Sequence, residues 1–475
     1  MESIKAGILG FGTVGSGTYA VLRRNQEEIK RRAGRGIEIT RIAVRNVARA
    51  RAALDALPQV TGPGAGVPAA GVPAAGVPAA GMPAAGMPAA GMPAAGMPVI
   101  DTDFDALVAD PAIDIVVETI GGTDRARELV LAAIANGKHV VTANKALLAI
   151  HGTEIFQAAH ARGVMVAFEA AVAGGIPIIK ALREGLSGNR IEWIAGIING
   201  TTNFILSEMR DRGVDFATAL ADAQKLGYAE ADPTFDIEGV DAAHKLTLMS
   251  AIAFGVPIQF DRAYVEGISR LDAIDIRYAE ELGYRIKLLG ITRRTADGIE
   301  LRVHPTLIPS KRLIANVEGA MNAVAVQGDA VGTTLYYGKG AGAEPTASAM
   351  VADLVDVTRL HTADPEHRTP HLAFQPDQLS DTPILPIDAI KSAYYLRLRV
   401  ADVTGVLASI ATTLADLGIS VDALLQKESR EGEGETDLVV LTHITLEGNL
   451  RRAIAQIETL ETVVSPVTLL RTENL

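Results

Sequence analysis

The chain has 475 residues, 48% of them hydrophobic and 21% charged, with a formal net charge of −12. That gives room for two to four domains with sizeable cores, and an acidic balance that disfavours binding to a phosphate backbone. The sequence has no cysteine, which excludes disulfides, thiolate metal sites and thiol nucleophiles.

The opening, "MESIKAGILGFG", lacks a basic region followed by an apolar core, so no secretory signal is expected. No long charge-free stretch reads as a spanning helix, because the one uncharged repeat carries a proline every fifth residue. The expectation is a cytoplasmic, soluble protein with neither a nucleic-acid nor a membrane partner.

Residues 4–10, "IKAGILG", form a short apolar run ending in glycine, as expected of a buried parallel strand. A helical pattern covers about 14–32, "IEITRIAV" (37–44) alternates like a strand, and a helix follows at about 47–57. Residues 62–98 then contain the repeated unit G-[VM]-P-A-A. Proline at this spacing blocks a regular helix, and collagen would need glycine every third residue. The repeat is expected to be a turn-rich or polyproline-like surface insertion, mostly disordered and uninvolved in catalysis.

Beyond it the pattern predicts a helix at 104–109, a strand at 113–120, a helix at 124–136 and a strand at 139–143. Strand–helix alternation means a parallel sheet with helices on its faces. Residues 1–150 therefore read as a Rossmann-type dinucleotide-binding domain. From about residue 163 the texture changes. "IEWIAGIING" and "ELRVHPTLIP" look like strands between long helices, including one at 241–253, which makes 151–361 a mixed α+β substrate domain. Residues 362–393 are Pro-rich and aperiodic, a linker composition. Residues 394–475 read strand–helix–strand–strand–helix–strand, the ferredoxin-like order.

"GFGTVG" places Gly10, Phe11, Gly12, Thr13, Val14 and Gly15 between the first strand and the first helix. In that context G-x-G-x-x-G is a dinucleotide-binding fingerprint. The first glycine permits the tight turn, Gly12 lets the backbone approach a pyrophosphate, and Gly15 allows close helix–strand packing. The helix N-terminus favours the anion. Where an NAD site places Asp or Glu after the second strand, this chain has Arg45. An arginine suits a 2′-phosphate, which predicts NADP(H) over NAD(H).

"TANKALL" puts Lys145 just after a strand, at the carboxyl edge of the sheet where open α/β folds bind ligands. The densest polar stretch, "GYAEADPTFDIEGVDAAHK" (227–245), holds Glu230, Asp232, Asp236, Glu238, Asp241 and Lys245. Asp241 and Lys245 are spaced i, i+4 on a helix and share a face. Such a pair orients an ammonium for chemistry or is an ordinary solvated ion pair, and spacing alone does not decide. The carboxylates have no regular metal-ligand spacing.

Together "GFGTVG", "TANKAL", "FEAAVAGGIP", "INGTTNFIL", "AQKLGYAEADPTFDIEGVDAAHK", "ANVEGAMNAV" and "GKGAGAEPTASAMVADL" resemble homoserine dehydrogenase over nearly all of residues 1–360 except the repeat. The last 80 or so residues resemble an ACT domain. The resemblance implies NAD(P)H-dependent interconversion of L-aspartate 4-semialdehyde and L-homoserine, a step toward threonine, methionine and isoleucine. It implies Lys245 as the proton donor and acceptor, and Lys145 beside substrate and nicotinamide. Glu230 would bind the substrate ammonium, Asp241 would hold substrate or Lys245, and Asp236 would be a further substrate contact. Gly121, Gly227 and Gly342 would lie near the cofactor. The main-chain carbonyls of Glu169, Val172, Gly174 and Ile176 match the family's structural sodium site. Without a cysteine, acyl-phosphate formation through a thiohemiacetal is not expected, leaving aldehyde–alcohol chemistry alone.

The chain opens at the cofactor domain with no fused kinase, so a monofunctional enzyme is expected. The ACT resemblance implies side-by-side pairing and an amino-acid ligand, L-threonine, near Asp402, Gly405, Val406 and Leu407. A homodimer or homotetramer is implied. Two other readings stay open: another NADP-dependent amino-acid dehydrogenase, or a regulatory protein that binds nucleotide and threonine without turnover.

Overall fold

The computed structural model describes residues 2–57, 97–426 and 434–475. The expectation for the repeat falls, apart from Met97 and Pro98, outside the described residues. The chain forms two compact units. The first comprises Met1–Glu184, Lys225–Gly227 and Lys339–Asp377, and the second Gly185–Gln224, Tyr228–Gly338 and Gln378–Leu475. No helix among the described residues is long and apolar enough to cross a membrane.

In the first unit, β1 (Ile4–Leu9), β2 (Ile37–Ala43), β3 (Val99–Asp101), β4 (Ile115–Glu118), β5 (His139–Thr142) and β6 (Val166–Ala167) form one sheet. Their order is β3-β2-β1-β4-β5-β6 and every pairing is parallel. The order reverses between β1 and β4, the switch point of a doubly wound fold. Ile4, Ala6 and Ile8 of β1 share a core with Ile37 and Ile39 of β2 and with Ile115 and Val117 of β4. Helix Thr13–Arg24 adds Tyr19, Val21 and Leu22, and helix Ala343–Leu360 adds Ala347, Met350 and Leu354. The late helix approaches the early one at Gly17, where a Cβ would lie 2.9 Å from the Ala343 carbonyl.

The helical pattern over 14–32 resolves into two helices, Thr13–Arg24 and Gln26–Ala33, with Asn25 between them at φ −103° and ψ 18°. Asn25 makes no side-chain cap hydrogen bond there, and asparagine is a weak helix former that leaves helical angles at little cost. Elsewhere Asn and Asp side chains start helices. Asn46, Asp103, Asn144 and Asn199 each accept a main-chain N–H three residues ahead, as N-caps do.

In the second unit, β7 (Ile191–Ile197), β8 (Tyr264–Val265), β9 (Tyr284–Arg294), β10 (Ile299–Pro309), β11 (Met321–Gly328) and β12 (Gly332–Lys339) precede β13 (Lys391–Ala401). β14 (Val421–Gln426), β15 (Glu435–Thr442), β16 (Thr445–Leu446) and β17 (Thr468–Thr472) complete it. The main path runs β12-β11-β7-β9-β10-β17-β13-β15-β14. Strands β13 to β17 with helices Val406–Asp416 and Glu447–Ile457 have the ferredoxin-like order expected from sequence. Alternate residues Leu396, Leu398 and Val400 of β13 meet Ile410, Leu414, Leu450 and Ile457 in one core.

The opposite face of β13 is half-buried, with Tyr395 buried fully. The Tyr395 hydroxyl and the Arg397 Nε donate to Asp275 Oδ1, at 2.9 and 2.6 Å, from a different layer. β17 pairs with β10 in parallel, Thr306 opposite Arg471 and Leu307 opposite Thr472. The C-terminal fold and the substrate layer thus share one sheet. Residues 362–393 are packed at several points. His371 accepts the Val166 N–H at 3.1 Å and stacks on Phe156, and Ser380 donates its N–H to the Gly255 carbonyl at 2.7 Å.

Within the first unit, Asp353 on the late helix accepts the Glu169 N–H at 2.8 Å, and the Glu169 carboxylate accepts from Ile179 N and Lys180 N. Burial and the neighbouring Glu169 push the Asp353 pKa up to about 8. A carboxyl that binds its proton more tightly when folded stabilises the fold fully below its unfolded pKa. That stability is lost as pH rises through the folded value. Between pH 5 and 8 the wild type should therefore lose stability relative to Asp353→Asn. Urea melts across that range check this, and a pH-independent difference between the two would remove the assignment.

Candidate functional site

The glycine loop has the geometry its pattern predicts. Gly10 sits at φ +89°, and a Cβ there would meet the Thr119 carbonyl at 2.9 Å. A Cβ on Gly15 would lie 2.5 Å from the Gly10 carbonyl, so this position admits only glycine. Nothing lies within 4 Å of a Cβ on Gly12, which caps helix Thr13–Arg24 without a side-chain hydrogen bond. An open cradle facing a helix N-terminus suits a pyrophosphate. Thr13 and Val14 open that helix, and Phe11 packs edge-on against Tyr19. Arg45 is exposed just beyond β2. Gly342, at φ +121°, precedes helix Ala343–Leu360, which packs on the glycine-loop helix at Gly17. Gly121 and Gly227 also have positive φ, +72° and +77°. Every expected cofactor residue belongs to the first unit.

Lys145 is the first residue of helix Lys145–Arg162, directly after β5. Its place is fixed by groups around Glu118. This buried carboxylate accepts the Thr142 hydroxyl at 2.5 Å and the main-chain N–H groups of Ile120 and Gly121 at 2.9 and 3.1 Å. Burial raises its pKa, and those donors oppose the rise. Asn144 caps the helix through Leu147 N and donates to the Gly122 carbonyl at 2.7 Å. Together these bonds tie the Gly121–Gly122 turn to the helix that begins with Lys145.

In the second unit, Asp236, Asp241 and Lys245 are brought together. Lys245 Nζ donates to Asp241 Oδ2 at 2.6 Å and to the Ile198 carbonyl at 2.7 Å. The Asn199 amide donates to Asp241 Oδ2 at 2.8 Å and to Asp236 Oδ1 at 2.7 Å. Thr201 donates its hydroxyl to the Tyr228 carbonyl and contacts Asp236 Oδ2 at 3.3 Å. Burial, then the Asp241 charge, raises the Asp236 pKa, against the Asn199 bond and Lys245. The Asp241–Lys245 pair is buried, with 6% and 11% of its side chains exposed. That separates it from the solvated i, i+4 pairs its spacing resembles. Glu230 is exposed on the preceding loop, where its carbonyl accepts the Gln224 amide at 3.1 Å. Among the described residues, no cluster of three His, Asp or Glu side chains could hold a metal ion.

The Glu169–Ile176 turn has two successive residues, Ala173 and Gly174, at φ +54°. A Cβ on Gly174 would lie 2.3 Å from the Gly340 carbonyl. The Glu169 carbonyl accepts Val172 N at 3.3 Å and the Ile176 carbonyl accepts Ile178 N at 2.8 Å. In the C-terminal fold, Gly405 (φ +92°) caps helix Val406–Asp416, Asp402 and Leu407 are exposed, and the Val406 side chain lies in the core.

Asn199, Thr201 and Glu118 were not assigned roles from sequence. The Asn199 signal was present: asparagine between a strand and a helix, followed by "GTT", is an N-cap pattern. Its second role, bridging two carboxylates some forty positions on, leaves no local mark. Glu118 reads as part of an apolar strand, and burial alone marks it out.

Residues 10–169 match the model of the homoserine dehydrogenase NAD binding domain, 177–355 that of homoserine dehydrogenase, and 394–462 that of the ACT domain. The chain is 57% identical over 475 residues to homoserine dehydrogenase of Pseudomonas aeruginosa, covering 100% of both chains. It is 54% identical to that of Neisseria gonorrhoeae, again with 100% of both covered. A crystal structure of homoserine dehydrogenase from Thiobacillus denitrificans superposes with a TM-score of 0.88 at 63% identity, covering 100% of this chain and 99% of that one. These matches, spanning the cofactor, substrate and C-terminal parts alike, place the chain in the homoserine dehydrogenase family.

Proposed function

We propose that this homoserine dehydrogenase interconverts L-aspartate 4-semialdehyde and L-homoserine with NADP(H) as preferred cofactor, Lys245 acting as the acid–base. The observation that carries the reading is the buried Lys245–Asp241 pair, joined through Asn199 to Asp236. The bound dinucleotide supplies or accepts the hydride at its nicotinamide.

An ammonium has three N–H donors. On Lys245, Ile198 and Asp241 bond to Nζ and hold it in one direction. Another N–H would give its proton to the substrate oxygen as that oxygen takes up the carbonyl electron pair. In the reverse direction the neutral amine accepts the proton from the hydroxyl. Lys145, at the start of its helix, would stabilise the negative oxygen. Glu230 would pair with the substrate ammonium, and Asp236 and Asp241 would orient the substrate. Gly10, Gly12 and Gly15 would cradle the pyrophosphate, with Gly121, Gly227 and Gly342 alongside. The exposed Arg45 supports binding of a 2′-phosphate.

The Glu169, Val172, Gly174 and Ile176 carbonyls are neutral oxygen donors in a turn with two left-handed residues, which suits a structural sodium ion. Melting midpoints unchanged when choline replaces sodium would remove this part. The Gly405 turn supports threonine binding by the ACT domain. Leu335 and Tyr337, exposed on edge strand β12, support a homodimer or homotetramer, which light scattering reads directly.

With aspartate semialdehyde and NADPH, the wild type should turn over and Lys245→Ala should lose about 10²-fold or more in kcat. Equal rates would move the proton donor elsewhere, and a folded but inactive wild type would remove the reading. Arg45→Ala should lower kcat/KM for NADPH about tenfold, the size of one lost charge-assisted contact, and leave NADH nearly unchanged. An NADH preference in the wild type would sink the cofactor assignment. Threonine should inhibit the wild type and lose potency against Asp402→Ala. A point variant is the right probe, because ending the chain near residue 390 would strip β17 from β10. Insensitivity of both proteins would leave the ACT domain a pairing module.

A further inference from the structure

β17 reaches the substrate cluster through two residues that the proposed chemistry does not use. Arg471 on β17 is fully buried. Its Nε and Nη2 donate to Glu447 at 2.8 and 2.6 Å, and its Nη1 donates to Glu266 Oε2 at 2.9 Å. The Tyr264 hydroxyl donates to the same Glu266 oxygen at 2.8 Å, and the Arg471 guanidinium lies over the Tyr264 ring at 4.9 Å. The Glu266 main chain is held as well, its N–H donating to the Val303 carbonyl at 2.8 Å. This carboxylate therefore has its position set from both ends.

The next two residues touch the substrate loop. A Cβ on Gly267 would lie 2.3 Å from the Ile237 carbonyl oxygen and 2.5 Å from Glu238 Cα. Ile268 N–H donates to the same Ile237 carbonyl at 2.8 Å. Ile237 follows Asp236 directly, and Gly239 caps the helix that carries Asp241 and Lys245. Beside this contact the seam is not filled. A cavity of about 570 Å³ opens between Glu238, Gly267, Arg451 and the segment 466–470, which leads into β17. Gly239 is buried, and a Cβ there would lie 3.2 Å from Val303 and 3.3 Å from Val265, so directed contacts and packing together set the Asp236–Gly239 turn.

We propose that Glu266 and Gly267 are positioning residues for the Asp236–Lys245 cluster. Arg471 holds Glu266, and the Gly267–Ile268 backbone holds the Ile237 carbonyl. This gives the ACT part of the chain a covalently short, hydrogen-bonded route to the reacting groups. The inference rests on the reading of Asp236, Asp241 and Lys245 as the reactive cluster.

The test uses the full-length protein with Gly267→Ala, Glu266→Ala and Glu266→Gln. Gly267→Ala must push the Ile237 turn away, and should lower kcat roughly 10- to 100-fold, as a misplacement of about 1 Å does. Glu266→Ala should lower kcat several-fold, and Glu266→Gln, which keeps an acceptor for Arg471, should recover most of it. NADPH affinity without substrate, read by fluorescence titration, should stay at the wild-type value, because the expected cofactor residues belong to the first unit. A merely structural role would lower the melting midpoint and leave kcat per folded molecule unchanged. Wild-type kcat and semialdehyde KM in both alanine variants would overturn the inference. If Gly267→Ala does not fold, the two Glu266 variants decide it alone. The two failures are distinguishable: wild-type turnover in Lys245→Ala removes the cluster reading and this inference with it. An inactive Lys245→Ala beside fully active Glu266 and Gly267 variants removes this inference only.

Discussion

Arg471 and Glu447 form an ion pair with neither side chain exposed to solvent. Burial alone would raise the Glu447 pKa, and Arg471 and Arg451 hold it below the ordinary carboxylate value. Removing one member of such a pair strands a charge in the interior, a loss of about 3–5 kcal/mol. The pair therefore fixes where β17 can lie. Because Arg471 also bonds Glu266, and β17 pairs with β10, the same constraint makes the C-terminal fold part of the substrate sheet. A second buried group repeats the arrangement: Arg302 on β10 is paired with Glu300 and with Glu473, just past β17. Charges that could not be buried singly are buried here in pairs, and Arg471–Glu266 and Arg302–Glu473 take their partners from across the β10–β17 seam.

The Asp236–Asp241–Lys245 cluster solves a related problem. Two carboxylates, Asp236 and Asp241, share one small buried region, and mutual repulsion would drive them apart or protonate one. Asn199 reduces the conflict by giving one N–H to each, while Lys245 neutralises Asp241. The result is a lysine held in a fixed direction and an aspartate whose pKa is raised by burial and by its neighbour.

Much of this was legible in the sequence, for local reasons. Glycine at 10, 12 and 15 announces the loop because backbone angle and close approach are properties of single residues. The strand–helix–strand–strand–helix–strand order of residues 394–475 announces the ACT-like fold because each element is a local pattern. Residues 14–32 read as one helix because apolar periodicity runs through Asn25, and the break is a change of backbone angles at that one residue. What could not be read is long-range. The partnership of Asn199 with Asp236 and Asp241, the burial of Glu118, and the joining of β17 to β10 each depend on residues distant in sequence. The Asp241–Lys245 spacing left its role open, and burial of the pair is what gave it weight.

The late helix Ala343–Leu360 is an integral wall of the dinucleotide-binding core, supplying Ala347, Met350 and Leu354 to the cluster that also holds Ile4 and Ile8. During synthesis, then, the earliest part of the chain emerges with one face of its sheet covered only in part, by the early helices. It must wait, exposed and sticky, while most of the second unit is translated. Such a delay raises the contact order of the first unit and lengthens the window in which its apolar strands are open to wrong partners. The order of the gene is therefore not the order of folding: the nucleotide-binding unit starts first and closes late.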